Sequence, residues 1–242
     1  MKKNNPIGIF DSGVGGTSIW KEINFLMPNE HTIYLADSKH APNGEKSKEK
    51  IIEFSIKNTE KLIRLNAKII VVACNTATTN AIDILRQNYT IPIIGIEPAI
   101  KPASLNTKTG NIGILATKGT LRSALFSKTS KLFSKNIKII EVVGEGLVTL
   151  IEEGKVNSLE MEKLLESYLS PMILNKVDYL VLGCSHFPYL IPIIKKILPP
   201  EVTIIDSGEA VARQTKRVLL KNNLLSESKN SSLKFYSNAD LT

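Results

Sequence analysis

The 242-residue chain is poor in the residues that usually announce a site: two cysteines, three histidines, one tryptophan and 6% aromatic residues in all. It contains no C-x-x-C and no H-x-x-x-H. Zinc sites declare themselves by such spacing, so the set Cys74, Cys184, His186 and Asp11 reads poorly as a metal site. No apolar run approaches the roughly eighteen residues that crossing a bilayer requires. The opening MKKNNPIGIF is broken too early, by Pro6 and Gly8, to be a secretory h-region. The expected compartment is therefore the cytosol, where a lone pair of cysteines persists as thiols rather than as a disulfide.

Arginine is scarce too. The net charge is +8, yet only five of the 31 basic residues are arginine, and the lysines are interleaved with glutamates, as in EKSKEKIIEFSIKNTEK. That is the pattern of solvated helix surface, not of a clustered base-reading face, and it argues against a nucleic-acid partner. What is plentiful is hydrophobic residue, 43%, ample for the core of one large domain or two compact ones.

Eight short β-rich runs recur, at 6–10, 32–36, 68–73, 91–96, 111–116, 137–143, 179–183 and 202–206. Stretches with helical spacing lie between most of them. In 45–65, Ile52, Ile56, Leu62 and Ile63 are expected to share the buried face. Strands apolar along their whole length, separated by amphipathic helices, indicate parallel sheets covered on both sides, so the class is α/β. The sequence also echoes itself. IIVVACNTAT at 69–78 is matched by YLVLGCSHFP at 179–188, and FDSG at 10–13 by IDSG at 205–208. Two facing α/β units follow if the echo is real, with IEPAIKPA at 96–103 as the crossover. The helix beginning at DSGEAV, with Glu209 placed to reach back to Asp206 as in a capping box, would return to the first unit. Residues 225–242 form a polar tail with one stretch of edge-strand character, LKFYS.

The cysteines carry the chemistry. Both Cys74 and Cys184 fall where an apolar strand ends and a polar turn begins, which in an open parallel sheet is the ligand end. A helix N-terminus there favours thiolate and is expected to lower the thiol pKa. Asn75-Thr76 and Ser185-His186 follow with backbone donors and short polar side chains. A free cysteine is often no more than a small buried hydrophobe. Two in the same setting argue for a working pair. A single nucleophilic cysteine with His186 as base is the rival arrangement, and it leaves the second thiol unexplained. The glycine loop DSGVGG at 11–16 follows the first strand but is neither a Walker A loop nor a G-x-G-x-x-G loop. Asp11 there either orients an ammonium group or caps a helix.

DSGVGG, ACNTAT and GCSHFP, in that order and spacing, resemble the glutamate racemases over residues 6 to about 220. The resemblance implies two flavodoxin-like parallel-sheet domains related by pseudo-symmetry, with the active site in the cleft between them. One domain would take residues 1–97 plus 207–242, the other 98–206. It also implies glutamate as substrate, no pyridoxal phosphate, no metal, and a homodimer in the cytoplasm supplying D-glutamate for peptidoglycan.

Inversion at Cα needs a proton to leave one face and another to arrive at the opposite face, which two opposed acid/base groups accomplish. By resemblance Cys74 and Cys184 are that pair. Asp11 and His186 assist the nearer thiols, and Ser12, Asn43, Gly44, Asn75, Thr76 and Ser185 hold the substrate. The chain departs from the family pattern at Asn43, where Pro-Tyr-Gly is usual, at Ser185 for Thr and at Phe187 for Tyr. Ser185 keeps the hydroxyl and Phe187 the ring, while Asn43 puts firm substrate binding in question. The alternatives are a weakened or noncatalytic homologue acting as a binding protein, and a racemase of a related acid such as aspartate.

Overall fold

The computed structural model describes residues 2–133 and 137–239. In chain order, β1 (Ile7–Asp11), α1 (Thr17–Leu26), β2 (Thr32–Ala36), α2 (Lys48–Arg64), β3 (Ile69–Val72), α3 (Asn75–Asn88) and β4 (Ile93–Gly95) form a first α/β series. A second follows: α4 (Ile100–Asn106), β5 (Asn111–Ala116), α5 (Lys118–Leu121), α6 (Ala124–Phe133), β6 (Lys138–Val143), α7 (Leu147–Glu152), α8 (Leu159–Leu174), β7 (Tyr179–Gly183), α9 (Ile191–Ile197) and β8 (Thr203–Ile205). Then α10 (Gly208–Lys221) packs against α1, and β9 (Leu233–Ser237) adds to the edge of the first sheet beside β2. All eight apolar runs are strands, and LKFYS is the ninth. Residues 240–242 of the polar tail lie outside the described residues.

The sheets run β4-β3-β1-β2-β9 and β6-β5-β7-β8, with every pairing parallel. Apart from β9 the two orders correspond, β1 to β5, β2 to β6, β3 to β7 and β4 to β8, in the flavodoxin-like arrangement. The two cysteine motifs thus follow equivalent strands, β3 and β7. The D-S-G echo does not: Asp11 closes β1 whereas Asp206 follows β8, an edge strand with a different place in its sheet.

Successive strand residues point to opposite faces, and both faces are covered. Ile69 and Val71 join Ile9, Ile19, Val211 and Leu219 on one side; Ile70 and Val72 join Leu35, Ile51, Leu62 and Leu85 on the other. In the second sheet Leu180 and Leu182 pack on Leu165 and Ile194, while Val181 packs on Ile100, Ile114 and Phe126. Of two local expectations, one holds in part and one fails: Leu62 is buried as expected, with Ile52 and Ile56 packed at the edge of the core. The buried stripe of α2 is Ile51, Phe54, Ser55, Thr59 and Leu62; Ile52 and Ile56 are only half-buried, and Ile63 is exposed. The stripe is rotated because Ile51 and Leu62 point into the sheet, which places Ile63 outward. The capping box at α10 does not form. Asp206 accepts from the Gly208 amide at 2.7 Å, Ser207 is spent on the Glu97 carbonyl, and Glu209 pairs along the helix with Arg213.

The approach to β3 is fixed by a buried ion pair. Lys68 Nζ meets Glu30 at 2.5 Å, the two side chains being 0% and 2% exposed, and it also donates to the Lys3 carbonyl. Glu30 in turn accepts from the Ser226 amide at 2.7 Å, tying the tail to the same point. Burial pulls the Lys68 pKa down and Glu30 opposes that pull. Removing one partner of a buried pair strands the other charge, so Glu30→Gln is expected to cost about 3 kcal/mol in urea unfolding. A loss under about 1 kcal/mol would show that Lys68 reaches solvent.

Candidate active site

In each sheet the strand order reverses between the two central strands, β1 and β3 in one, β5 and β7 in the other. Ligands bind beyond the carboxyl ends of strands at such points. Asp11 closes β1, Cys74 follows β3 by two residues, and Thr117 and Cys184 follow β5 and β7 directly. These ends converge on one chamber of about 10 Å³, enough for a single water at most. Cys74 and Cys184 both line it, as do Ser12, Asn43, Gly44, Asn75, Thr76, Ser185 and His186. Asp11 lies just behind that lining, fully buried, where it accepts from Ser185 Oγ at 3.3 Å and from the Gly16 amide at 2.6 Å. Thr117 and Val148 also line the chamber, though neither stands out in the sequence.

The two thiols sit in different settings. Cys74 caps α3, its sulfur accepting from the Ala77 amide at 3.5 Å and from Asn43 Nδ2 at 3.8 Å. The expected lowering of its pKa does not occur. Burial, then the Asp11 charge, push the Cys74 thiol well up, and the Ala77 amide offsets only part of this. Cys184 does not cap an α-helix. Residues 185–186 form a turn closed by the Phe187 amide on the Cys184 carbonyl at 3.1 Å, and α9 begins only at Ile191. The neighbour of its sulfur is His186 Nδ1, at 3.8 Å.

The sequence gives no sign of Glu152, the last residue of α7, which lies in LIEEG and reads as an ordinary solvated helix end. Its Oε1 meets His186 Nε2 at 2.5 Å and accepts from the Val14 amide at 2.8 Å. The glycine loop makes this possible. A Cβ at Gly13 would stand 1.8 Å from Glu152 Oε1, and one at Gly15 would stand 2.1 Å from His186 Nδ1. Burial works to lower the His186 pKa, but its contacts with Cys184 and Glu152 outweigh it and raise the pKa well above the usual histidine value. Asp11 is raised by burial, with His186 pulling the other way. His186 therefore lies beside Cys184 with Glu152 behind it, and Asp11 lies close to Cys74.

The chamber is clamped shut from both sheets. Thr76 Oγ1 bonds Thr117 Oγ1 at 2.8 Å, Asn80 Nδ2 donates to the Gly119 carbonyl at 3.2 Å, and Ser18 Oγ donates to the Ser185 carbonyl at 2.8 Å. Four buried side-chain atoms are unpartnered among the described residues: Thr59 Oγ1 in α2, and three acceptors at or just behind the chamber, Asp11 Oδ1, Asn43 Oδ1 and Asn75 Oδ1. A buried acceptor without a donor is costly, and three together suit a group with several N–H donors, such as an ammonium. Among the described residues no three His, Cys, Asp or Glu side chains are grouped as a metal ion requires.

Residues 16–215 match the family described as Asp/Glu/Hydantoin racemase. A glutamate racemase of Ectopseudomonas mendocina is 44% identical over 237 residues, covering 98% of this chain and 90% of the relative. The structure of a glutamate racemase isoform from Bacillus anthracis aligns with a TM-score of 0.88 at 33% identity, over 99% of this chain and 90% of that one. The Escherichia coli glutamate racemase, in complex with L-glutamate and the activator UDP-MurNAc-Ala, aligns with a TM-score of 0.86 at 34% identity, covering 98% of this chain and 90% of that one. With two parallel sheets that meet at their carboxyl ends, and a match across most of its length, the chain belongs to the Asp/Glu/Hydantoin racemase family.

Proposed function

We propose that the chain interconverts L- and D-glutamate by proton transfer between Cα and two thiols. The observation that carries the reading is that Cys74 and Cys184, on equivalent strands of opposed sheets, line one chamber. One sulfur, as thiolate, takes the Cα proton. The carbanion is held planar by delocalisation into the α-carboxylate, and the opposite sulfur, as thiol, delivers its proton to the other face. The reverse reaction exchanges the roles. Asp11 sits beside Cys74 as proton acceptor, and the His186 imidazolium beside Cys184 as donor and charge partner. Enclosure strengthens each of these electrostatic contacts.

The substrate ammonium is assigned to the unpartnered oxygens of Asp11, Asn43 and Asn75, with Ser12 beside them. The carboxylates are assigned to the hydroxyls of Thr76 and Ser185, the Gly44 backbone and the Asn75 and Thr76 amides that open α3. Asn43 thus serves through its side chain, its Nδ2 toward Cys74 and its Oδ1 toward substrate. On this reading residues 1–97 with 207–242 form one half of the cleft and 98–206 the other. The enzyme works in the cytoplasm without a cofactor, as a homodimer, and feeds peptidoglycan synthesis. No described helix is long and apolar enough to cross a membrane.

Cys74→Ser and Cys184→Ser test the pair, because an alcohol is too weak an acid for either role. Each is expected to lower racemisation by about a thousand-fold in polarimetry with glutamate and no added cofactor. A variant that keeps a tenth of wild-type activity would remove that thiol from the chemistry. A second prediction concerns His186. Its folded-state pKa is raised, so the stabilisation from the Glu152 contact is fully present below the ordinary histidine pKa of about 6.5 and is lost as pH rises through the folded value. The NMR titration midpoint of His186 is expected above about 6.5 in the wild type and lower in Glu152→Gln. Equal midpoints would show that Glu152 does not set the charge of the ring.

A further inference from the structure

Beside the thiol chamber lies a second cavity of about 700 Å³, which shares Pro42, Gly44, Thr117 and Val148 with it. The volume is too large for the chamber's own needs, and cations predominate among its charges. Lys46, Lys48, Lys118 and Arg122 line it against Glu45 and Glu145. The cations come from both halves of the cleft, Lys46 and Lys48 around the start of α2, Lys118 and Arg122 at the two ends of α5. Lys46 is engaged with the Pro42 carbonyl at 3.0 Å. The side chains of Lys48, Lys118 and Arg122 form no salt bridge or hydrogen bond among the described residues. Lys48 is the first residue of α2, where a cation runs against the helix dipole. Helix stability does not explain it there, whereas an anion in the cavity would offset it.

The neck between the two cavities is where the halves of the cleft touch. A Cβ at Gly44 would stand 2.9 Å from Thr117 Cβ, and one at Gly119 would stand 2.8 Å from Thr76 Cγ2. The same neck carries the Thr76–Thr117 and Asn80–Gly119 hydrogen bonds. A dicarboxylate cannot fit in a chamber of about 10 Å³, so these contacts must part before it enters, and parting them joins the chamber to the larger cavity.

We infer that the larger cavity is an anion-selective vestibule that collects a small amino dicarboxylate beside the closed chamber and delivers it when the neck opens. This rests on the chamber being the glutamate site. A cleft lined by one sign of charge raises the local concentration and arrival rate of opposite charge about 10- to 1,000-fold, an effect that salt suppresses, and here four cations outnumber two carboxylates. The vestibule cations touch neither thiol, so they act on kcat/KM and leave kcat alone.

The test is the triple variant Lys48→Gln, Lys118→Gln, Arg122→Gln, assayed for racemisation across a series of sodium chloride concentrations. At low salt kcat/KM is expected to fall about ten-fold with kcat within about two-fold of wild type, and the salt dependence of kcat/KM to flatten. Arg122→Glu alone should fall further than Arg122→Gln. An unchanged kcat/KM with the wild-type salt slope would overturn the proposal. Inorganic phosphate at constant ionic strength separates substrate from other anions. It is expected to compete with glutamate in the wild type and to lose that competition in the variant. Loss of phosphate inhibition with unchanged kcat/KM would give the cations to another anion and overturn the admission role. Wild-type protein without any turnover would sink the glutamate reading itself, an outcome distinct from a wild type that turns over with an indifferent vestibule.

Discussion

A carboxylate from one sheet system, held between an imidazole of its own half and a backbone amide of the other, is the contact on which the closed cleft depends. Glu152 carries that role, with His186 Nε2 at 2.5 Å and the Val14 amide at 2.8 Å. Charge-assisted bonds of this kind are stronger than neutral ones and hold geometry tightly. The pair sits where two glycines omit side chains, so the acid and the ring lie directly on the DSGVGG backbone. Because His186 also faces Cys184, the contact that closes the cleft joins Cys184 in raising the pKa of the ring beside that thiol. The closing contact and the surroundings of Cys184 therefore meet at one ring.

Enclosure also pushes the Cys74 thiol pKa up. Its surroundings are sealed, with Asp11 at 0% exposure close by, and both burial and that carboxylate disfavour a second negative charge. On the proposed reading, an ammonium at the three unpartnered oxygens near it would bring positive charge that relieves this penalty and favours thiolate. Asn43 fits the scheme, since its amide reaches the sulfur with one end and leaves an acceptor free with the other. The two-atom reach of Asn is enough for this because the 3-10 turn at Asn43–Glu45 lies against α3 and α5.

Much of this architecture is legible in the sequence, for a physical reason. Strands buried on both faces must be apolar at every position, so Ile69, Ile70, Val71 and Val72 announce a covered parallel sheet without any alternation. The cysteines are legible because a thiol at the carboxyl end of such a strand has left the core pattern and entered the ligand end. The repeated cysteine motif marks equivalent strands, whereas the repeated D-S-G is a coincidence of three letters at non-equivalent ones. What stays hidden depends on contacts far apart in the chain. Glu152 becomes special only when α7 meets a loop 138 residues away, and nothing in LIEEG distinguishes it from Glu153. The thiol pKa at Cys74 is hidden likewise, since the helix terminus is a local feature and the burial that overrides it is not.

The most direct measurement of the central claim, two thiols addressing opposite faces of one carbon, is the fate of deuterium in the first turnovers. L-glutamate incubated with the enzyme in D2O, stopped early and separated into enantiomers, should give D-glutamate deuterated at Cα while the unreacted L-glutamate keeps its protium. That asymmetry follows because the thiol that delivers the proton has exchanged with solvent and the one that removes it returns what it took. Equal deuterium in recovered substrate and first product would mean that a single group serves both faces, and would contradict the account.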